Sequence, residues 1–277
     1  LTPPVETLAL AKSLLSAQHA EDSAKRHVQR AALARIEDQA RHLALRHLQP
    51  DSAELKHLRH EYRELLEQRL KHHERGHRHH DTDTAMDIVY GGSGLALAAP
   101  PYDFDWVSGL GPGFEQANRA TGDYQLAVQS FGSGWRTVAA GVGFWFYSGE
   151  GNPRQRFAAL LDYTDDWWDS AMFYVADSRA HTRLAVFGAT EKTWVVRSEQ
   201  APSWSDHVGW LDSGGNDPEG EEGRITNETY FNAAPRSWYQ CWVWSQCDVY
   251  GDSGIFGFGA ASAALNVQLK FAVLGSL

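Results

Sequence analysis

The chain has 277 residues, with 25 Lys+Arg against 35 Asp+Glu, a net charge of −10 at pH 7 and two cysteines. No window reaches the 18 or more uninterrupted apolar residues of a membrane-spanning helix. Residues 1–80 carry 14 Lys+Arg and 11 Asp+Glu, net +3, whereas residues 81–277 carry 11 and 24, net −13. That acidic majority excludes nucleic acid as a partner, because a phosphate-binding face needs clustered cations that release counterions.

Composition breaks at the same place. Eleven of the 13 histidines precede residue 81, while all 11 tryptophans and all but one glycine follow it. The fold class expected is α+β in two parts. An N-terminal helical hairpin covers 1–80, a His/Asp-rich then Gly/Pro-rich linker covers 81–101, and a Trp-rich acidic, all-β antiparallel sandwich of jelly-roll type covers 102–277.

Pro3 and Pro4 suit the start of a helix, and no Gly or Pro interrupts the run from Val5 to Leu48. Its apolar stripe is thin: Val28, Ala32, Ile36, Ala40 and Leu43. Gln49-Pro50-Asp51-Ser52 ends this helix and caps a second, whose stripe is Leu55, Leu58, Tyr62 and Leu65. Stripes this narrow build no core of their own, so the helices must pack on the second domain or on copies of themselves. Self-association is the preferred expectation, which makes the chain a homo-oligomer.

The stretch from Lys71 to Asp83 gathers His72, His73, His77, His79 and His80 beside Asp81 and Asp83. These histidines are the candidate ligands for a divalent metal, the one cofactor in view; a polar helix end fraying at Gly76 is the plainer reading. Glu54 and His57 match half of a di-iron spacing, but two helices supply one such pair where a bundle site needs more.

Strand patterns follow from Tyr124 to Leu274, with no helical period between them. Val138, Ala140, Val142, Phe144 and Phe146 fall on one face of a strand, and Ala139, Gly141, Gly143, Trp145 and Tyr147 on the other. In the last strand Val267, Leu269, Phe271 and Val273 are expected inward. Trp238, Gln240, Trp242 and Trp244 alternate onto one face, as a core layer or as a flat platform for sugar rings. Cys241 and Cys247 are a disulfide candidate only if the chain reverses around Ser245 and Gln246, because six strand residues span about 20 Å.

A glycan site wants aromatics beside Asp, Asn or Gln. Asp165-Asp166-Trp167-Trp168-Asp169 has that composition in an expected turn, and so does an expected loop holding Trp204, Asp206, His207 and Trp210. The ligand-binding candidates are Trp167, Trp168, Asp166, Asp169, Trp204 and Trp210. A glycosidase needs two carboxylates, for which Glu115, Glu150, Glu191 and Glu228 are available. No nucleophile elbow, zincin motif, dinucleotide fingerprint or phosphate loop is present, so no catalytic residue is assigned.

The leading expectation is a non-enzymatic structural protein, extracellular or on a particle or cell surface. Its hairpin drives assembly and its sandwich forms a shell or recognition head. A glycan-binding β-sandwich module is the alternative, and a secreted glycan-active hydrolase the third reading.

Overall fold

The computed structural model describes residues 2–44, 90–91, 95–132, 134–150, 154–172, 174–209, 212–215, 221–254 and 257–276. One helix, α1 (Glu6–Ala44), is followed by strands β1 (Tyr90–Gly91), β2 (Leu95–Ala98), β3 (Phe104–Leu110), β4 (Gly113–Asn118), β5 (Asp123–Phe131), β6 (Gly134–Tyr147) and β7 (Arg154–Met172). Then come β8 (Val175–Gly188), β9 (Thr193–Gly209), β10 (Asp212–Gly215), β11 (Glu221–Asn232), β12 (Trp238–Gly251), β13 (Ser253–Gly254) and β14 (Gly257–Ser276). The second half of the expected hairpin, and with it His72, His73, His77, His79 and His80, lies outside the described residues.

Two antiparallel sheets face each other, so the β part is a sandwich. One runs β3-β6-β12-β8-β9; the other is built around β14, which pairs with β7 along one side and with β5 and then β2 along the other. Strand alternation supplies the core. Val138, Val142 and Phe144 of β6, Leu184 and Val186 of β8 and Val243 of β12 meet Tyr124 and Leu126 of β5, Phe157 and Leu161 of β7, and Leu265, Val267 and Leu269 of β14. The stretch expected as linker ends inside this architecture, since Leu95–Ala98 pairs with Gly275–Ala272.

Several expectations are corrected. Residues 165–169 form no turn: they lie within β7, and Trp204, Asp206 and His207 lie within β9. β12 is one continuous strand without reversal, and Cys241 and Cys247 are free, buried thiols whose pKa burial pushes up. In β14 the pairing slips between Leu269 and Phe271. This bulge leaves Lys270 as an extra residue and puts Ala272 and Leu274, rather than Phe271 and Val273, into the core.

Of the expected helix stripe only Val28 has a described side chain; those of Ala32, Ile36, Ala40 and Leu43 fall outside the described residues. Val28 is 69% exposed, and the face turned to the sandwich carries Thr7, Ala11, Leu15, His19 and Ser23 at steps of four residues. Ala11 and Leu15 are fully buried in one cluster with Phe104, Trp106, Trp242 and Trp244. Burying Leu15 alone contributes about 2 kcal/mol. The partner that α1 requires is therefore the outer face of the five-stranded sheet.

Candidate functional site

The outer face of the five-stranded sheet is built from rungs that the pairing register defines. Tyr147 lies opposite Trp238; Trp145, Gln240, Phe187 and Trp194 form the next rung; Gly143, Trp242 and Ala185 and then Gly141, Trp244 and Arg183 follow. Beyond them Gln246 stands between Ala139 and His181, and Asp248 between Thr137 and Arg179. The two glycines are required by close approach. A Cβ on Gly143 would come within 2.2 Å of the Phe104 ring, and one on Gly141 within 2.3 Å of Trp244 Cβ.

Helix α1 covers the middle of this face, and its contacts change character along its length. Leu8, Ala11, Leu14 and Leu15 meet the aromatic rungs. Past them the contacts are polar. His19 reaches Ser108 Oγ at 3.0 Å through Nδ1 and Thr137 Oγ1 at 2.8 Å through Nε2. Trp106 and Trp135 donate their indole N–H groups to Ser16 and Ser23 at 3.0 and 2.7 Å. Arg26 pairs with Asp248, which is 0% exposed at its side chain. Asp22 accepts from Arg183, whose guanidinium lies 5.1 Å from the Trp244 ring centre. Burial, assisted by the Arg26 charge, lowers the His19 pKa to about 4. His181 is also held well below its ordinary value, first by burial and then by Arg183, Arg26 and Arg179.

At the N-terminal end of α1 a set of aromatic side chains is only partly covered. Trp238 lies 5.1 Å from Tyr147 and 6.1 Å from Trp145, ring centre to ring centre. Trp194 stands edge-on to Phe187 at 5.3 Å. All four, Trp145, Tyr147, Trp194 and Trp238, are half-buried. Exposed Asp103 accepts the Trp145 backbone N–H at 2.7 Å, and Gln240 donates to Thr7 Oγ1 at 3.0 Å. This shelf therefore combines flat apolar surface with an exposed carboxylate, while Gln240 lies buried beneath Thr7. The period-two alternation of Trp145 with Tyr147, and of Trp238 with Gln240, was its signal in the sequence.

The residues expected to bind ligand are only partly brought together. Trp167 of β7 stacks on Trp204 of β9 at 5.3 Å with 24° between the planes, so each ring covers a face of the other. Beside them Asp169 is fully buried and accepts a hydrogen bond from Ser178 at 2.7 Å. Burial, with the charges of Asp206 and Asp177 nearby, raises its pKa to about 8. His207 Nδ1 is 2.8 Å from Asp177. Alternation sends Asp166 and Trp168 to the opposite face of β7, where Trp168 is buried against Phe131, Phe258 and Ala260. The group closes one edge of the sandwich. Trp210 lies outside the described residues.

The carboxylates considered for hydrolysis lie on separate elements. Glu115 is on β4 and Glu191 in the turn between β8 and β9. Glu150 is ion-paired with Arg236, and Glu228 accepts from Arg156 and Tyr230, which lower its pKa. Burial shifts Glu115 the other way, raising its pKa. Among the described residues no group of three or more His, Cys, Asp or Glu is placed to hold a metal ion, and no helix is long and apolar enough to cross a membrane.

No family model matches the sequence, and no curated protein matches it. Among solved structures, the chain is similar to an arabinose-bound MgGH51 α-L-arabinofuranosidase at 13% identity and a TM-score of 0.25, over 68% of this chain and 22% of that one. A bacteriophage CBA120 tailspike protein 4 enzymatic domain gives 12% identity and 0.21, over 68% and 21%. TmCBM61 in complex with β-1,4-galactotriose gives 11% identity and 0.18, over 62% and 88%. This chain thus spans about a fifth of the first two proteins, and likeness at these scores assigns neither family nor function.

Proposed function

We propose that this chain is a non-catalytic glycan-binding β-sandwich module whose sugar site is the shelf of Trp238, Tyr147 and Trp145. One observation carries the reading: three adjacent, half-buried rings stand at the open end of a sheet face on which Trp242 and Trp244 are covered, with the exposed Asp103 in reach. A pyranose lays its C–H face on an indole while carboxylate and amide groups take its hydroxyls. The acidic surface suits a neutral or cationic polysaccharide better than a phosphorylated or sulfated one.

The assembly role expected from the hairpin loses its motivation at α1, whose buried stripe already has a partner within the chain. An extracellular or surface location follows from a glycan ligand and belongs to the same proposal. Calorimetric titration with neutral oligosaccharides tests it. Trp238→Ala should weaken binding roughly tenfold while leaving the fold intact. Unchanged affinity in that variant, or no binding by the parent chain, removes the shelf as the site.

A further inference from the structure

Beneath α1, the sheet presents hydrogen-bonding groups that the helix leaves unused. The indole N–H groups of Trp242 and Trp244, the Oε1 atoms of Gln240 and Gln246, and both ring nitrogens of His181 are buried without a hydrogen-bond partner among the described residues. Gln18 Oε1, on the helix side, is in the same condition. A buried donor or acceptor left unmade opposes folding, and most native interiors pair nearly all of them. Here the unpaired groups belong to neighbouring rungs on one sheet face, under one element.

Few apolar residues of the helix itself make this contact, although the sheet buries Phe104, Trp106, Trp242 and Trp244 in it. Among its described side chains, Ala11 and Leu15 are the fully buried hydrophobics, helped by Leu8 and Leu14, and most of the other contacts are hydrogen bonds and ion pairs that water or a ligand can replace. The uncovered face would match one ligand class well. Gln240, Trp242, Trp244 and Gln246 project to one side of β12 over about 20 Å, offering two indole donors, two amide acceptors and flat ring surface. Polyhydroxylated chains present both donors and acceptors beside apolar C–H faces. The shelf is the continuation of this strip, since Trp238 is the next residue of the same alternation.

We propose that α1 is a displaceable cover on an extended glycan groove along β12, and that oligosaccharides longer than the shelf bind by displacing it. The ligand class rests on the glycan-binding reading above; the cover itself rests on the unpaired groups and on the few apolar residues that the described part of the helix contributes.

The test is an Ala11→Asp/Leu15→Asp variant of the full chain, which puts two carboxylates into the contact with Phe104, Trp242 and Trp244. Tryptophan emission should shift to the red as the indoles meet water, with the β-sheet circular dichroism retained. Affinity for at least one of cellohexaose, xylohexaose and mannohexaose should rise tenfold or more, and adding Trp244→Phe should remove most of that gain. A released helix without a gain on any of the three overturns the proposal. So does a helix that stays docked, or a sandwich that unfolds with it, because either outcome makes α1 ordinary core. The shelf is tested separately by Trp238→Ala in the otherwise unchanged chain, so the two ideas fail independently.

Discussion

His19 of α1 lies 2.8 Å from Thr137 of β6, and both side chains are fully buried. Thr137 also accepts from Gln246 at 3.2 Å, whose amide donates to Asp248 at 2.6 Å, and Asp248 holds Arg26. The histidine is thus one end of a polar chain that runs from the helix through the sheet and back to the helix. Burial and the facing Arg26 charge keep the ring neutral, with one nitrogen donating and the other accepting, so protonation would place a charge where it is desolvated.

Acid should therefore loosen the helix. The His19 pKa is lowered from 6.5 to about 4, so its contribution is fully present above pH 6.5 and is lost as the pH falls toward 4. His181 acts in the same direction, and the charges facing the pair are Arg26 and Asp22 of α1, Arg179 and Arg183 of β8, Glu199 of β9 and Asp248 of β12. The His19 shift corresponds to at most about 3 kcal/mol. Urea titrations at pH 7.5 and 4.5 should show this loss, and His19→Gln should reduce the difference between them.

At the opposite edge of the sandwich the sign reverses. Asp169 is raised from 3.8 to about 8, so its contribution is complete below pH 3.8 and disappears as the pH rises through 8. Asp169→Asn keeps an acceptor for Ser178 and removes the ionisation. It should raise the thermal midpoint at pH 8.5 by several degrees and change it little at pH 5. Equal effects at both pH values would show that Asp169 ionisation is unimportant.

Arg26→Ala leaves the Asp248 carboxylate buried without its cation. Loss of one partner from such a pair costs roughly 3 kcal/mol, more than the pair itself contributes. Adding Asp248→Asn should restore much of it, which a double-mutant cycle on denaturant midpoints will read.

Trp204→Ala breaks the stack with Trp167 and should cost roughly 3 kcal/mol of stability. It should not alter oligosaccharide affinity, because the stacked pair closes an edge of the sandwich. A tenfold loss of binding in the folded variant would instead return the site to the Trp167 and Trp204 group.

The sandwich was legible because its strands alternate cleanly: Val138 to Phe146 turn inward, and Trp145 and Tyr147 outward. The helix docking was not, because its sheet-facing row contains Thr7, Ala11, His19 and Ser23, which no apolar periodicity marks. Val28, the first residue of the expected stripe, is exposed instead. Asp165 to Asp169 read as a turn from their charge; the Ser178 hydrogen bond and the Trp204 stack accommodate them in a strand. The shelf was half visible, since the alternation located Trp238 but could not show which indoles the helix would cover.

Lys270 carries a last consequence. At this position β14 changes neighbours on one side, from β5 to β2, while Gly122 accepts the Leu269 N–H at 3.0 Å and Tyr102 donates to the Leu269 carbonyl at 3.1 Å. The extra residue shifts the strand's phase. Phe271 and Val273 consequently surface beside Leu160 and Ala158 in a pocket of about 320 Å³ on the sandwich's other broad face. Read one residue out of step, the same letters would close that pocket and turn Ala272 and Leu274 out to water.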